Sequence, residues 1–127
     1  MLLNDLLIID GRQPGEGVLK VWGHLRVSHR IFAGHFPGRP VLPGACLVQL
    51  VQELAESVAG SAVRLVRAGP IKFIAMIDPD RDGSISMTLT GKEVATQEWE
   101  ITAEGSNAGG VCFKFKGIFR AGSDYAA

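Results

Sequence analysis

Cysteine is scarce: Cys46 and Cys112 are the only two in 127 residues. Two are too few for the disulfide framework that small secreted domains depend on, and they fit free thiols in a reducing compartment. Long apolar runs are missing as well. The stretches Leu6 to Ile9 and Leu47 to Val51 fall far short of a membrane span. The N-terminus has no basic segment followed by a long apolar region and a small-residue cleavage site. Nor is there an excess of either charge, because thirteen basic residues balance thirteen acidic ones and the pI is near 6.8. No global field therefore draws the chain to nucleic acid or to an anionic membrane, and a charged partner has to be met by a local patch. The expectation is a soluble cytoplasmic protein that binds neither nucleic acid nor membrane.

Several chemistries lack their usual handles. The three histidines, at positions 24, 29 and 35, include no pair at the helical spacing of a metal site. Neither GxGxxG nor GxxxxGK occurs, so nucleotide binding has no support, and without GxSxG there is no serine-hydrolase elbow. No metal or cofactor is expected.

What is present is a globular composition, 46% hydrophobic and 20% charged, of a length suited to one domain over residues 1–127. Between Gly17 and Val27, Leu19, Val21, Leu25 and Val27 alternate with Lys20, Trp22, His24 and Arg26, the period of a half-buried strand. The prolines and glycines of residues 30–43 exclude regular helix and predict an ordered loop or short extended run. From Gly44 the sequence ACLVQLVQELAESVAG reads as one helix stopped by Gly60. Ala45, Cys46, Leu47, Val48, Leu50, Val51 and Leu54 predict that most of it is buried. Runs at Val63–Val66, Ile71–Ile77, Ser84–Thr90, Thr96–Ala103 and Val111–Phe119 follow, separated by turn residues, and the last three alternate as strands. The class is α+β, with an antiparallel sheet curled around a single helix.

The segment Gly34-His35-Phe36-Pro37-Gly38-Arg39-Pro40-Val41-Leu42-Pro43-Gly44 sets a histidine in a loop stiffened by prolines, directly before the buried helix. Such a backbone holds a reactive ring in a fixed orientation. This segment closely resembles the GHFPGxPxxPG motif of the β-hydroxyacyl-acyl-carrier-protein dehydratases, and the order of elements is similar over almost the whole chain. The resemblance implies the hotdog fold, a curved antiparallel sheet wrapped around one central helix. It also implies a homodimer, or a higher oligomer of dimers, in which each site joins the histidine of one subunit to the helix acid of the other.

The implied reaction removes water from a 3-hydroxyacyl thioester, on acyl carrier protein or coenzyme A, to give the trans-2-enoyl thioester. His35 matches the family base, and a neutral imidazole suits proton abstraction next to the thioester carbonyl. Carried over with the motif, the Val41 carbonyl holds the other ring nitrogen, the Gly44 N–H polarises the thioester oxygen, and Phe36 belongs to the substrate-binding set. The Gly44 role also has a physical basis, since the first turn of a helix offers unsatisfied N–H groups at a positive dipole end.

The chain departs from the pattern at the acid. Gln49 stands where the family has Glu or Asp, and an amide cannot donate the proton that a carboxyl would. Glu53 follows one turn later on the same face, as if the two residue types were exchanged. Glu53 is either the replacement acid or a solvated or ion-paired carboxylate, and Gln49 is either a substrate contact or a dimer-facing structural amide. Cys46 reads as a small core residue, and His24 and His29 as surface or loop residues. Arg39, Arg64, Arg67 and Lys72 are candidates for a patch facing an acidic carrier protein. Three readings follow: a 3-hydroxyacyl-thioester dehydratase, a noncatalytic acyl-thioester-binding subunit of a dehydratase heteromer, and a hotdog thioesterase.

Overall fold

A computed structural model describes residues 1–33, 41–79 and 83–122. Its one α-helix among the described residues, α1 (Gly44–Ala59), starts after Pro43, whose extended backbone cannot continue a helix backwards. It ends at Gly60, which takes the left-handed conformation at φ 77° and returns its N–H to Glu56. Cys46, Leu47, Leu50, Val51, Leu54 and Ala55 form its buried stripe. Burial is narrower than the sequence predicts, because Ala45 is exposed and Val48 only half-buried. The sheet covers one side of the helix and leaves the Ala45–Gln49 side uncovered.

Among the described residues six strands build one antiparallel sheet: β1 (Leu7–Gly15), β2 (Val18–Leu25), β3 (Val63–Phe73), β4 (Ser84–Ala95), β5 (Glu98–Asn107) and β6 (Gly110–Ala121). Their spatial order is β1-β2-β4-β5-β6-β3. The sheet curves enough for the single helix to touch β2, β3, β4 and β5. Alternation decides which side chains turn into the core: Leu19, Val21, Ile85, Met87, Leu89, Ile101, Ala103, Phe113, Phe115 and Phe119 are all buried. Burying a phenylalanine contributes about 1.5–3 kcal/mol, so the β6 row of Phe113, Phe115 and Phe119, with neighbouring ring centroids 6.5 and 6.0 Å apart, is a major part of this core.

The sequence reading assigns no strand to the residues of β1, and β3 departs from it. β1 has no clean alternation, and it pairs with β2 through a bulge at Asp10. There Gly23 lets the backbones close up, since a Cβ at Gly23 would collide with the Ile8 carbonyl. The separate runs Val63–Val66 and Ile71–Ile77 become one strand, β3, which ends at Phe73, and residues 74–77 lie outside it. Register shifts between Leu65 and Arg67 and between Ala68 and Ile71 let the strand absorb Gly69 and Pro70, tolerable because β3 is an edge. Within residues 30–43, Arg30–Phe32 form a short 3-10 turn. Among the described residues no helix is long and apolar enough to cross a membrane.

Candidate active site

Residues 41–44 lead into α1 and are fixed from behind, because the Leu42 N–H donates to the Ile77 carbonyl at 2.9 Å and both Val41 and Leu42 are buried. In the first turn the N–H groups of Cys46 and Leu47 return to the Pro43 carbonyl at 3.0 and 3.4 Å, and no side chain caps the helix. The N–H groups of Gly44 and Ala45 have no acceptor among the described residues. Unsatisfied donors at a helix N-terminus stabilise negative charge on an oxygen placed against them.

The missing side chain at Gly44 matters here. A Cβ would lie 2.7 and 2.9 Å from the Cζ and Cε1 atoms of Phe73, so glycine lets that ring lie over the helix start. A groove of about 360 Å³ opens at this point, lined by Val41, Gly44, Leu47, Phe73, Met76 and Ile77 among others. One wall is apolar yet open to solvent, with Phe73, Ile74 and Met76 55%, 53% and 60% exposed.

Of the residues singled out from the sequence, His35, Phe36 and Arg39 lie outside the described residues, while Val41 and Gly44 share this groove. Gln49 and Glu53 are brought together elsewhere. The Glu53 carboxylate accepts the Leu2 N–H on both oxygens at 3.0 and 2.9 Å, the Leu3 N–H at 2.9 Å and the Gln49 amide Nε2–H at 3.0 Å. Each of these contacts uses the carboxylate as an acceptor. Gln49 is exposed, and its Nε2–H donates to Glu53. Glu53 lines an open hollow of about 510 Å³ with Met1, Leu3, Arg12 and Glu56 rather than the groove at Gly44.

The remaining candidates are structural in place. Cys46 is buried, and desolvation pushes its thiol up, away from the thiolate a nucleophile requires. His29 accepts the Ile31 N–H on Nδ1 at 3.1 Å, so its Nε2–H donates to Asp5 at 3.0 Å. That hydrogen bond, more than the nearby charges, holds the Asp5 carboxyl below its usual value. His24 lies on the exposed side of β2, with Nδ1 2.9 Å from Asp10. Sequence reasoning missed the N-terminal residues as partners of Glu53. Their separation of about fifty residues leaves no local signal.

The sequence model of the ApeI-like family, described as ApeI dehydratase, matches residues 13–111. The chain belongs to the ApeI-like dehydratase family. Relatives of this ApeI-like chain include the 3-hydroxyacyl-[acyl-carrier-protein] dehydratase FabZ of Caulobacter sp. (strain K31), 27% identical over 101 residues that cover 80% of this chain and 58% of the relative. The FabZ of Ruegeria sp. (strain TM1040) is 25% identical over 127 residues, covering 100% of this chain and 74% of that one. The ApeI-like chain thus spans little more than half of the Caulobacter relative. Among solved structures, the dehydratase heterocomplex ApeI:P from Xenorhabdus doucetiae superposes with a TM-score of 0.77 at 20% identity, covering 90% of this chain and 97% of that one. The PaaI protein of E. coli gives a TM-score of 0.67 at 16% identity, covering 92% and 80%. These likenesses give the fold of the ApeI-like chain, which is the hotdog fold.

Proposed function

We propose that the protein is a 3-hydroxyacyl-thioester dehydratase of the cytoplasm, taking its substrate from acyl carrier protein or coenzyme A. The observation that carries this reading is the apolar groove ending at the unsatisfied N–H groups of Gly44 and Ala45, a seat for an acyl thioester with donors at its carbonyl oxygen. His35, steadied through the Val41 carbonyl and flanked by Phe36, takes the proton from the carbon between carbonyl and hydroxyl. Charge gathers on the thioester oxygen against the Gly44 N–H. The C–C double bond then forms as the C–O bond breaks, and hydroxide leaves with a proton. Glu53 is the carboxyl proposed to supply that proton, with the Gln49 carbonyl oxygen accepting the substrate hydroxyl.

Within one chain the groove and the Gln49–Glu53 pair are separate. Family resemblance joins the histidine of one hotdog chain to the helix residue of another, and the free edge β3 beside exposed Phe73, Ile74 and Met76 is where a second chain would pair. Two copies would form two such sites.

A second reading is a noncatalytic acyl-thioester-binding subunit, favoured by the engagement of Glu53 with the Leu2 and Leu3 N–H groups. Incubation with a 3-hydroxyacyl carrier-protein thioester, followed by mass, separates the two. Loss of water supports the dehydratase, and retention of unchanged thioester over several acyl lengths supports the subunit. Gln49→Glu, which restores the family carboxyl, is expected to raise dehydration.

A further inference from the structure

Where β2 ends, the chain makes a tight turn that gathers cations. Arg26 gives its N–H to the Leu6 carbonyl at 2.8 Å, and the His29 N–H returns to the Arg26 carbonyl at 3.0 Å. The Phe32 and Ala33 N–H groups then return to the carbonyls of His29 and Arg30, each at 3.1 Å. Arg26, Ser28, His29 and Arg30 thereby line one open hollow of about 230 Å³, in which Asp5 is the one acid.

That acid is already engaged. Its carboxylate accepts the His29 Nε2–H at 3.0 Å, and neither Arg26 nor Arg30 comes within ion-pair distance of it or of any other carboxylate among the described residues. Both arginines are exposed, as is Ser28 between them. Two guanidinium charges against a single carboxylate leave the hollow with a positive surplus that favours an anion. A guanidinium fork matches the oxygens of a phosphate, and a serine hydroxyl adds a further donor.

In the sequence this turn runs on into the histidine motif. His35 follows Arg30 by five positions, a length of chain that reaches about 18 Å at most. The pantetheine arm common to acyl carrier protein and coenzyme A likewise sets a phosphate apart from its thioester, at the far end of a chain of amide units.

We infer that Arg26, Ser28 and Arg30 form a phosphate site that grips the phosphate of the pantetheine arm whose thioester is presented to His35. This inference rests on the proposed thioester substrate and adds where its carrier arm is held.

The test reads binding without turnover, so it stands apart from whether the chain dehydrates anything. Backbone amide resonances of the full chain are followed by NMR as inorganic phosphate, 4′-phosphopantetheine or unphosphorylated pantetheine is added. Phosphate and phosphopantetheine are expected to shift the Ser28 and Arg30 amides and to compete for them, while pantetheine leaves them still. Arg26→Gln with Arg30→Gln, its fold checked by circular dichroism, should weaken phosphopantetheine binding about tenfold or more. Arg26→Lys with Arg30→Lys, which keeps the charge and loses the forks, should fall between. Coenzyme A and the holo form of an acyl carrier protein tell the two sources of the arm apart, and a response to either supports the site. Ser28 and Arg30 amides unmoved by phosphopantetheine, or a glutamine variant that binds it as the parent does, overturns the inference. So does a response to coenzyme A that vanishes with its 3′-phosphate, since the hollow would then read the nucleotide end and not the arm. A chain that binds the arm here and fails to dehydrate keeps this site and loses only the dehydratase reading.

Discussion

The two ends of α1 use their hydrogen-bonding capacity in opposite ways. At the start Pro43 supplies no side-chain cap, the first turn holds no acid, and the Gly44 and Ala45 N–H groups are unspent beside a groove. In the second half, Glu53 gathers the Leu2 and Leu3 N–H groups, Glu56 reaches the Val63 N–H at 3.4 Å, and Gly60 closes the helix. Stability is concentrated at one end and unsatisfied donors at the other. An uncapped first turn forgoes about 1 kcal/mol of capping, and what it retains is a donor pair available to an incoming oxygen. Under the proposed function the thioester oxygen is received at the end left incomplete.

The strongest way to break this contrast is at the base. His35→Ala is expected to lower dehydration by about 10²–10⁴-fold while leaving the fold intact by circular dichroism. Activity within a few-fold of the parent would remove His35 from the mechanism.

Next in size is a comparison at Gly44. Alanine there keeps the N–H and displaces the Phe73 ring, whereas proline at this first helical position displaces the ring and removes the N–H as well. If the N–H polarises the thioester, Gly44→Pro falls below Gly44→Ala by roughly 10²–10³-fold in kcat. Equal rates for the two would leave the groove without its donor.

At the other end, Glu53→Ala strands two backbone N–H groups and is expected to cost about 1–3 kcal/mol in urea unfolding. The Leu2 and Leu3 amides should then exchange faster with deuterium. As the proposed proton donor Glu53 is also expected to lose about 10²-fold or more of kcat on this change, and an unchanged kcat beside the lost stability would leave it an anchor of the N-terminal segment alone.

The smallest effect concerns the second anchor of the N-terminal segment. The Asp5 carboxyl is held below its ordinary value, so its contribution is present above the usual carboxylate range and is lost as pH falls through the lowered value. Melting curves of parent and Asp5→Asn should therefore differ slightly at neutral pH and converge in acid.

Much of this was legible where a signal is local. Gly60 fixed the helix stop, and the alternation of Ile85, Met87 and Leu89 or of Phe113 and Phe115 assigned the buried face. The reading of β3 as two runs failed because Gly69 and Pro70 ordinarily end a strand, and only its place at the edge, with a bulge, lets it continue. Burial of Ala45 was overestimated because sequence shows how apolar a helix is, while the sheet decides which side it covers. The motif singles out Gly44 and Val41, and nothing in the sequence shows the groove that they line with Phe73. Glu53 shares a helix face with Gln49 as the spacing implies, yet its backbone partners come from the far end of the chain.

The basic residues of the edge strand β3 bear on how the chain is made. Among the described residues β3 pairs only with β6, which follows β4 and β5 in the chain, so it must wait for all three to emerge before its backbone is satisfied on one side. An apolar strand in that position is an invitation to clump with other unfinished chains. Arg64, Arg67 and Lys72, with Pro70 and the two register shifts, break up its stickiness throughout that interval, as gatekeeper residues do. Neutralising them all is therefore expected to lower the soluble yield on expression before any change shows in the purified, folded protein.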